Sequence, residues 1–130
     1  MKQLIQSYFD AFNTGDTDAM LACLSADVAH HVNEGKVRIG LEKFADFCAH
    51  MSRCYAENLT DMVIFVNDEA TRAAAEYTVN GTYTATDDGL PEARGQKYTL
   101  PAGSFFDIDN GQITRVTTYY SLSGWIAQVS

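Results

Sequence analysis

At 130 residues the chain is long enough to bury one substantial core and too short for two. Hydrophobic residues at 46% and charged residues at 20% describe a globular protein, and no run approaches the roughly 18 apolar residues of a membrane-spanning helix. A net charge of −8 sets the surface against phosphate backbones and anionic lipid, which excludes nucleic acid and membrane as expected partners.

From Lys2 to Phe12 the residues Leu4, Ile5, Tyr8, Phe9 and Phe12 recur at helical spacing, so a first amphipathic helix turns one stripe toward a core. The start Met1-Lys2-Gln3-Leu4 runs straight into this pattern without the apolar stretch of a secretion signal, so a cytoplasmic protein is expected. Gly15 suits the left-handed residue that ends a helix, and Asp16 can cap a second, short one with Asp18 in its first turn. Met20, Leu21, Cys23 and Leu24 supply its buried face, and Ser25-Ala26-Asp27 breaks it. Val28 to Asn33 reads as a strand, Glu34-Gly35-Lys36 as a turn, and Gly40 admits a third helix with Leu41, Phe44, Ala45, Cys48 and Met51 on one face.

Beyond Tyr55 the pattern becomes β. Leu59 to Val66, Arg72 to Thr86, Lys97 to Ile108 and Gln112 to Leu122 are rich in Val, Ile, Thr, Tyr and Phe. Asn67-Asp68-Glu69 separates the first two runs, Asp87 to Gly95 forms a longer hairpin loop, and Asn110-Gly111 predicts a type I′ turn. Trp125, Ile126 and Val129 dock a short C-terminal segment. Helices first and antiparallel strands afterwards predict a single α+β domain over residues 1–130, with helices on one face of a strongly bent sheet. Aromatic and Thr residues on both sheet faces suggest a homodimer through the outer one.

Three cysteines, Cys23, Cys48 and Cys54, give an odd count without metal-type spacing and read as reduced thiols. His30, His31 and His50 lack a partner at metal-ligand spacing, and no phosphate-binding glycine motif or nucleophile elbow is present, so neither metal nor cofactor is expected.

The stretch Ser7-Tyr8-Phe9-Asp10-Ala11-Phe12-Asn13-Thr14-Gly15-Asp16, followed by Ala26-Asp27-Val28, resembles the opening of ketosteroid isomerase. Val79-Asn80-Gly81-Thr82-Tyr83, Gly89-Leu90-Pro91, Gly95 and Phe105-Phe106-Asp107-Ile108-Asp109-Asn110-Gly111-Gln112-Ile113 resemble the second half of the SnoaL-type polyketide cyclases. Together the two resemblances cover nearly the whole chain. They imply an NTF2-like cone, usually dimeric, with an apolar pocket at its open end that receives a small apolar molecule bearing a carbonyl or hydroxyl.

In the isomerase a carboxylate moves a proton on carbon while a tyrosine and a neutral carboxylic acid stabilise the developing oxyanion. The resemblance puts Tyr8 at the position of that tyrosine, Asn33 at the general base and Ser104 at the second acid. An amide has no useful basicity, so ketosteroid isomerisation itself is expected to be weak. The cyclases' acid/base aspartate has no counterpart in Tyr119-Tyr120-Ser121-Leu122.

His31, two residues before Asn33, shares its strand face under regular alternation and is the expected replacement base, with an ordinary pKa of about 6.5; His30 then points to the surface or an interface. The competing reading of His31 is a hydrogen-bonded residue at the pocket edge, and that of Tyr8 a core aromatic. Glu57 or Glu76 could orient His31, the competing reading of each being a solvated or dimer-facing carboxylate. Val116, Thr118 and Tyr120, with Ser104 and Phe106, are expected to line the pocket or to pack as plain core. The resemblance implies an isomerase-, cyclase- or dehydratase-like enzyme; a non-catalytic ligand-binding or protein-interaction module is the alternative.

Overall fold

A computed structural model describes residues 1–130. The elements are α1 (Lys2–Thr14), α2 (Thr17–Leu21), β1 (Leu24–Val32), β2 (Arg38–Ile39), α3 (Leu41–Cys54), β3 (Tyr55–Val66), β4 (Arg72–Tyr83), β5 (Lys97–Asp109), β6 (Gln112–Tyr120) and α4 (Leu122–Val129). The six strands form one open sheet in the order β2-β1-β6-β5-β4-β3. Every pairing is antiparallel except β1 with β6.

Local sequence accounts for most element ends. Gly15 closes α1 at φ 71°, and the Asp16 carboxylate accepts the Ala19 N–H at 3.0 Å to open α2. Asn67 accepts the N–H groups of Thr71 and Arg72, both at 2.9 Å, and so ties the β3–β4 turn. Asn110 and Gly111 both take positive φ, 50° and 72°, as a type I′ turn requires.

The structure departs from expectation at several element ends. β1 begins at Leu24 and passes through a register shift before Ala29, so the expected break at Ser25 to Asp27 is an irregularity within a strand. β3 starts at Tyr55, directly on the end of α3, and β4 stops at Tyr83. The C-terminal segment is a true helix, capped by the Ser121 hydroxyl accepting the Gly124 N–H at 3.0 Å.

Alternation fixes which sheet face is inside. Ala73, Ala75, Tyr77 and Val79 of β4, and Tyr98, Leu100, Ala102, Ser104, Phe106 and Ile108 of β5, are buried. α1 lays Tyr8 and Phe9 on this face: Phe106 meets both rings edge-on at 5.6 and 5.8 Å, and Phe9 meets Tyr77 at 5.2 Å. Glu76 lies on the opposite, exposed face. There Phe65, Ala74, Phe105 and Thr117 stand in cross-strand register, Phe105 touches Tyr119, and Phe65, Phe105 and Tyr119 are exposed.

Candidate functional site

Helices α1, α3 and α4 do not fill the concave side of the sheet. A half-open hollow of about 1450 Å3 remains, and 23 of its 38 lining residues are hydrophobic, so the bulk of any ligand it takes is apolar.

One end of the hollow is built by α1, β1 and the middle of the sheet. Tyr8 is buried against Phe9, Phe44 and Phe106. His30 is 4% exposed, with its ring 4.6 Å from that of Phe44 and 4.7 Å from that of Phe47. The two residues therefore flank one phenylalanine. His30 Nδ1 is a fully buried atom with no partner. The Tyr8 hydroxyl and His30 Nε2 also lack protein partners, but neither is sealed off, and both residues border the hollow. Burial holds the Tyr8 phenol well above its ordinary pKa, so it is a hydrogen-bond donor at neutral pH. Burial, with the Arg38 charge and His31 adding to it, lowers His30 to about 4, so its imidazole is neutral. Beside them Ser104 Oγ bonds Tyr77 Oη at 2.7 Å and Thr118 Oγ1 at 2.8 Å, a chain of hydroxyls along the floor.

The placement of the two adjacent histidines corrects the expectation. His30 faces the hollow, while His31 is half-buried beside Thr117 and does not line it. Cross-strand partners share a face, and His30 is registered with the fully buried Val116. The reading from Asn33 failed because Asn33 is not extended. At φ 52° it sits in the left-handed region, and alternation cannot be counted back through it. Its Oδ1 accepts the Tyr120 N–H at 2.9 Å, so the amide ties the end of β1 to β6.

Of the other expected lining residues, Ser104, Thr118 and Tyr120 border the hollow. Phe106 and Val116 do not: they are cross-strand partners, 0% and 1% exposed, packed solidly into its closed floor. Neither Glu57 nor Glu76 reaches His31.

Glu57 instead points inward at the far end, where the Tyr98 hydroxyl donates to its Oε2 at 2.5 Å. Burial raises the Glu57 carboxyl above its usual range, and the Tyr98 bond opposes part of that rise. This pair straddles a glycine, since Glu57, Gly81 and Tyr98 are consecutive partners across β3, β4 and β5. Trp125 of α4 closes this end against Tyr55, Tyr83 and Tyr98, with ring centroids 4.9 to 5.9 Å away.

A third group stands at the rim. His50 Nε2 lies 2.9 Å from Asp87 Oδ1, and the Tyr55 hydroxyl donates to Asp87 Oδ2 at 2.6 Å. The sequence reading missed this group because Asp87 arrives from the loop after β4. The four-residue interval between His50 and Cys54 on one helix was the available signal.

A bent open sheet with helices on its concave side and an apolar hollow between them defines the NTF2-like class, to which ketosteroid isomerase belongs. A protein with a ketosteroid isomerase-like fold from Catenulispora acidiphila superposes at TM-score 0.79 with 18% identity, covering 97% of this chain and 91% of that one. Within the class, the SnoaL-like domain matches residues 5–116, and the chain belongs to that family. A candidate polyketide cyclase from Silicibacter sp. TM1040 is 76% identical at TM-score 0.97, covering 98% of this chain and 93% of the other. Another from Xanthomonas campestris pv. campestris is 57% identical at TM-score 0.96, covering 98% and 95%. No curated protein matches the chain. No helix is long and apolar enough to cross a membrane.

Proposed function

We propose that the hollow binds a small, largely apolar molecule with its carbonyl or hydroxyl oxygen at the Tyr8–His30 end, and that the chain's own side chains move a proton on it. The observation that carries this reading is that two polar groups with no protein partner, the Tyr8 hydroxyl and His30 Nε2, border one apolar hollow. Both groups open onto the hollow and are held by no protein atom, so their hydrogen bonds are available to a ligand there. Tyr8 donates to an oxygen that gains charge, and neutral His30 orients it. Glu57 takes the base role assigned on sequence to His31: it borders the same hollow, and burial moves its pKa toward neutrality. Tyr77 also borders the hollow, with its hydroxyl 2.7 Å from Ser104 Oγ.

The resemblance to proteins described as candidate polyketide cyclases favours polyketide-like ketones over steroids as the first compounds to assay. With such a substrate, Tyr8→Phe is expected to lower kcat/KM by about 100- to 1000-fold, the scale of losing one oxyanion donor. Near-normal turnover by a folded Tyr8→Phe variant would remove the tyrosine from the chemistry. Binding without turnover, in the wild type, would make the protein a ligand carrier.

The assembly we propose is a homodimer through the outer face, where Phe65, Phe105 and Tyr119 are exposed together. Light scattering should return twice the chain mass, and Phe105→Arg should return the chain mass alone. A wild-type monomer at micromolar concentration rules the dimer out.

A further inference from the structure

We propose that His50, Cys54 and Asp87 form a binding site for a zinc-type divalent metal ion at the rim of the hollow. One ligand atom from each, the His50 ring nitrogen, the Cys54 sulfur and an Asp87 carboxylate oxygen, lie within 4.8 Å of one another. His50 and Cys54 stand four residues apart on the last turn of α3, the interval that brings two side chains to one helix face. Asp87 is delivered by the start of the β4–β5 loop, which is fastened over the end of that helix. The Thr84 N–H donates to Cys54 O at 2.8 Å and the Thr84 hydroxyl to Arg53 O at 3.0 Å.

A nitrogen, a thiolate and a carboxylate make a mixed donor set of the kind zinc accepts, with bonds of about 2.0 to 2.3 Å. Ligand atoms on such an ion stand roughly 3.3 to 3.8 Å apart. The His50–Asp87 contact at 2.9 Å must therefore open slightly and the sulfur close in, within the reach of side-chain rotation. Asp87 already has the support expected of a metal ligand, since the Tyr55 hydroxyl holds its second oxygen at 2.6 Å. On the far side of the imidazole, His50 Nδ1 lies 3.5 Å from the exposed Arg53 guanidinium. Because a metal on Nε2 leaves the proton on Nδ1, Arg53 must turn aside toward solvent. Three protein ligands leave a fourth position, and His50 and Asp87 both border the hollow. The site is independent of the Tyr8–His30 reading, which stands or falls without it.

The test is titration of the purified, reduced protein with Co2+, followed by Zn2+ competition. The expected result is a one-to-one complex with a thiolate-to-cobalt charge-transfer band that Zn2+ abolishes. Cys54→Ser should lose the band while a Cys23→Ser, Cys48→Ser double variant keeps it. Asp87→Asn should weaken Co2+ at least 10-fold, and Tyr55→Phe by about 10-fold through the carboxylate it holds. Zn2+ should also raise the wild-type melting temperature, a readout needing no variant to fold. Absence of both the band and the thermal shift overturns the proposal, as does a band that survives in Cys54→Ser.

Discussion

Acidification from pH 7 to about 4 is expected to remove roughly 3 kcal/mol of stability through His30 alone. The imidazole ordinarily titrates near 6.5 and in the folded protein is held at about 4, chiefly by burial and then by the Arg38 and His31 charges. Between those two values the unfolded chain takes up a proton that the folded chain refuses, so stability falls with pH across that window. Above 6.5 the contribution is complete; below 4 it is gone. The ring is 4% exposed between Phe44 and Phe47, so solvent does little to blunt the effect. Carboxylates titrate over part of the same range, and subtraction isolates the histidine. His30→Phe, which keeps an aromatic ring in the slot and removes the unpartnered Nδ1, should lose about 2–3 kcal/mol less than the wild type between pH 7 and 4.5 in urea unfolding. Parallel pH dependences for the two proteins would mean that His30 is not held neutral by the fold.

That histidine also marks where the sequence stopped being informative. The frame of the molecule follows from local chemistry: the α1 stripe, the Gly15 and Asp16 caps, the Asn110-Gly111 turn and the β-rich second half all stand where short-range patterns put them. The site depends on facts with longer range. A single left-handed residue, Asn33, reversed the inferred facing of His30 and His31, and the one local hint of it is that asparagine tolerates that conformation better than most residues. Tyr8 lies in a helix, where a 3.6-residue period fixes facing over several turns, and it borders the hollow. Glu57 meets Tyr98, 41 residues away, only because three strands bring Glu57, Gly81 and Tyr98 side by side. Asp87 reaches His50 only because the hairpin loop folds back onto a helix end. The polar groups of this hollow are joined by sheet register and loop closure, which no local pattern encodes.

The glycine between Glu57 and Tyr98 gives the second large effect. A Cβ built at Gly81 falls inside the Tyr98 ring, against its Cζ, Cε2 and hydroxyl atoms. No positive φ applies at Gly81, so the demand for glycine here is steric and comes from the neighbouring strand. Tyr98 is 3% exposed and backed by Trp125, so its ring cannot retreat without disturbing the aromatic cluster under α4. Gly81→Ala should therefore cost about 2–3 kcal/mol and lower Tm by roughly 10 °C. In a Tyr98→Ala background the same substitution should cost almost nothing, because the clashing ring is gone; an equal loss in both backgrounds would trace the effect to the strand backbone. The consequence extends to the chemistry. Tyr98 opposes the upward push of burial on Glu57, so displacing the ring leaves that carboxyl still higher. If Glu57 is the group that moves the proton, the acid limb of the pH–rate profile should shift to higher pH in Gly81→Ala and in Tyr98→Phe alike. Tyr98→Phe keeps the ring and removes only the hydroxyl, so it separates the electrostatic effect from the packing one.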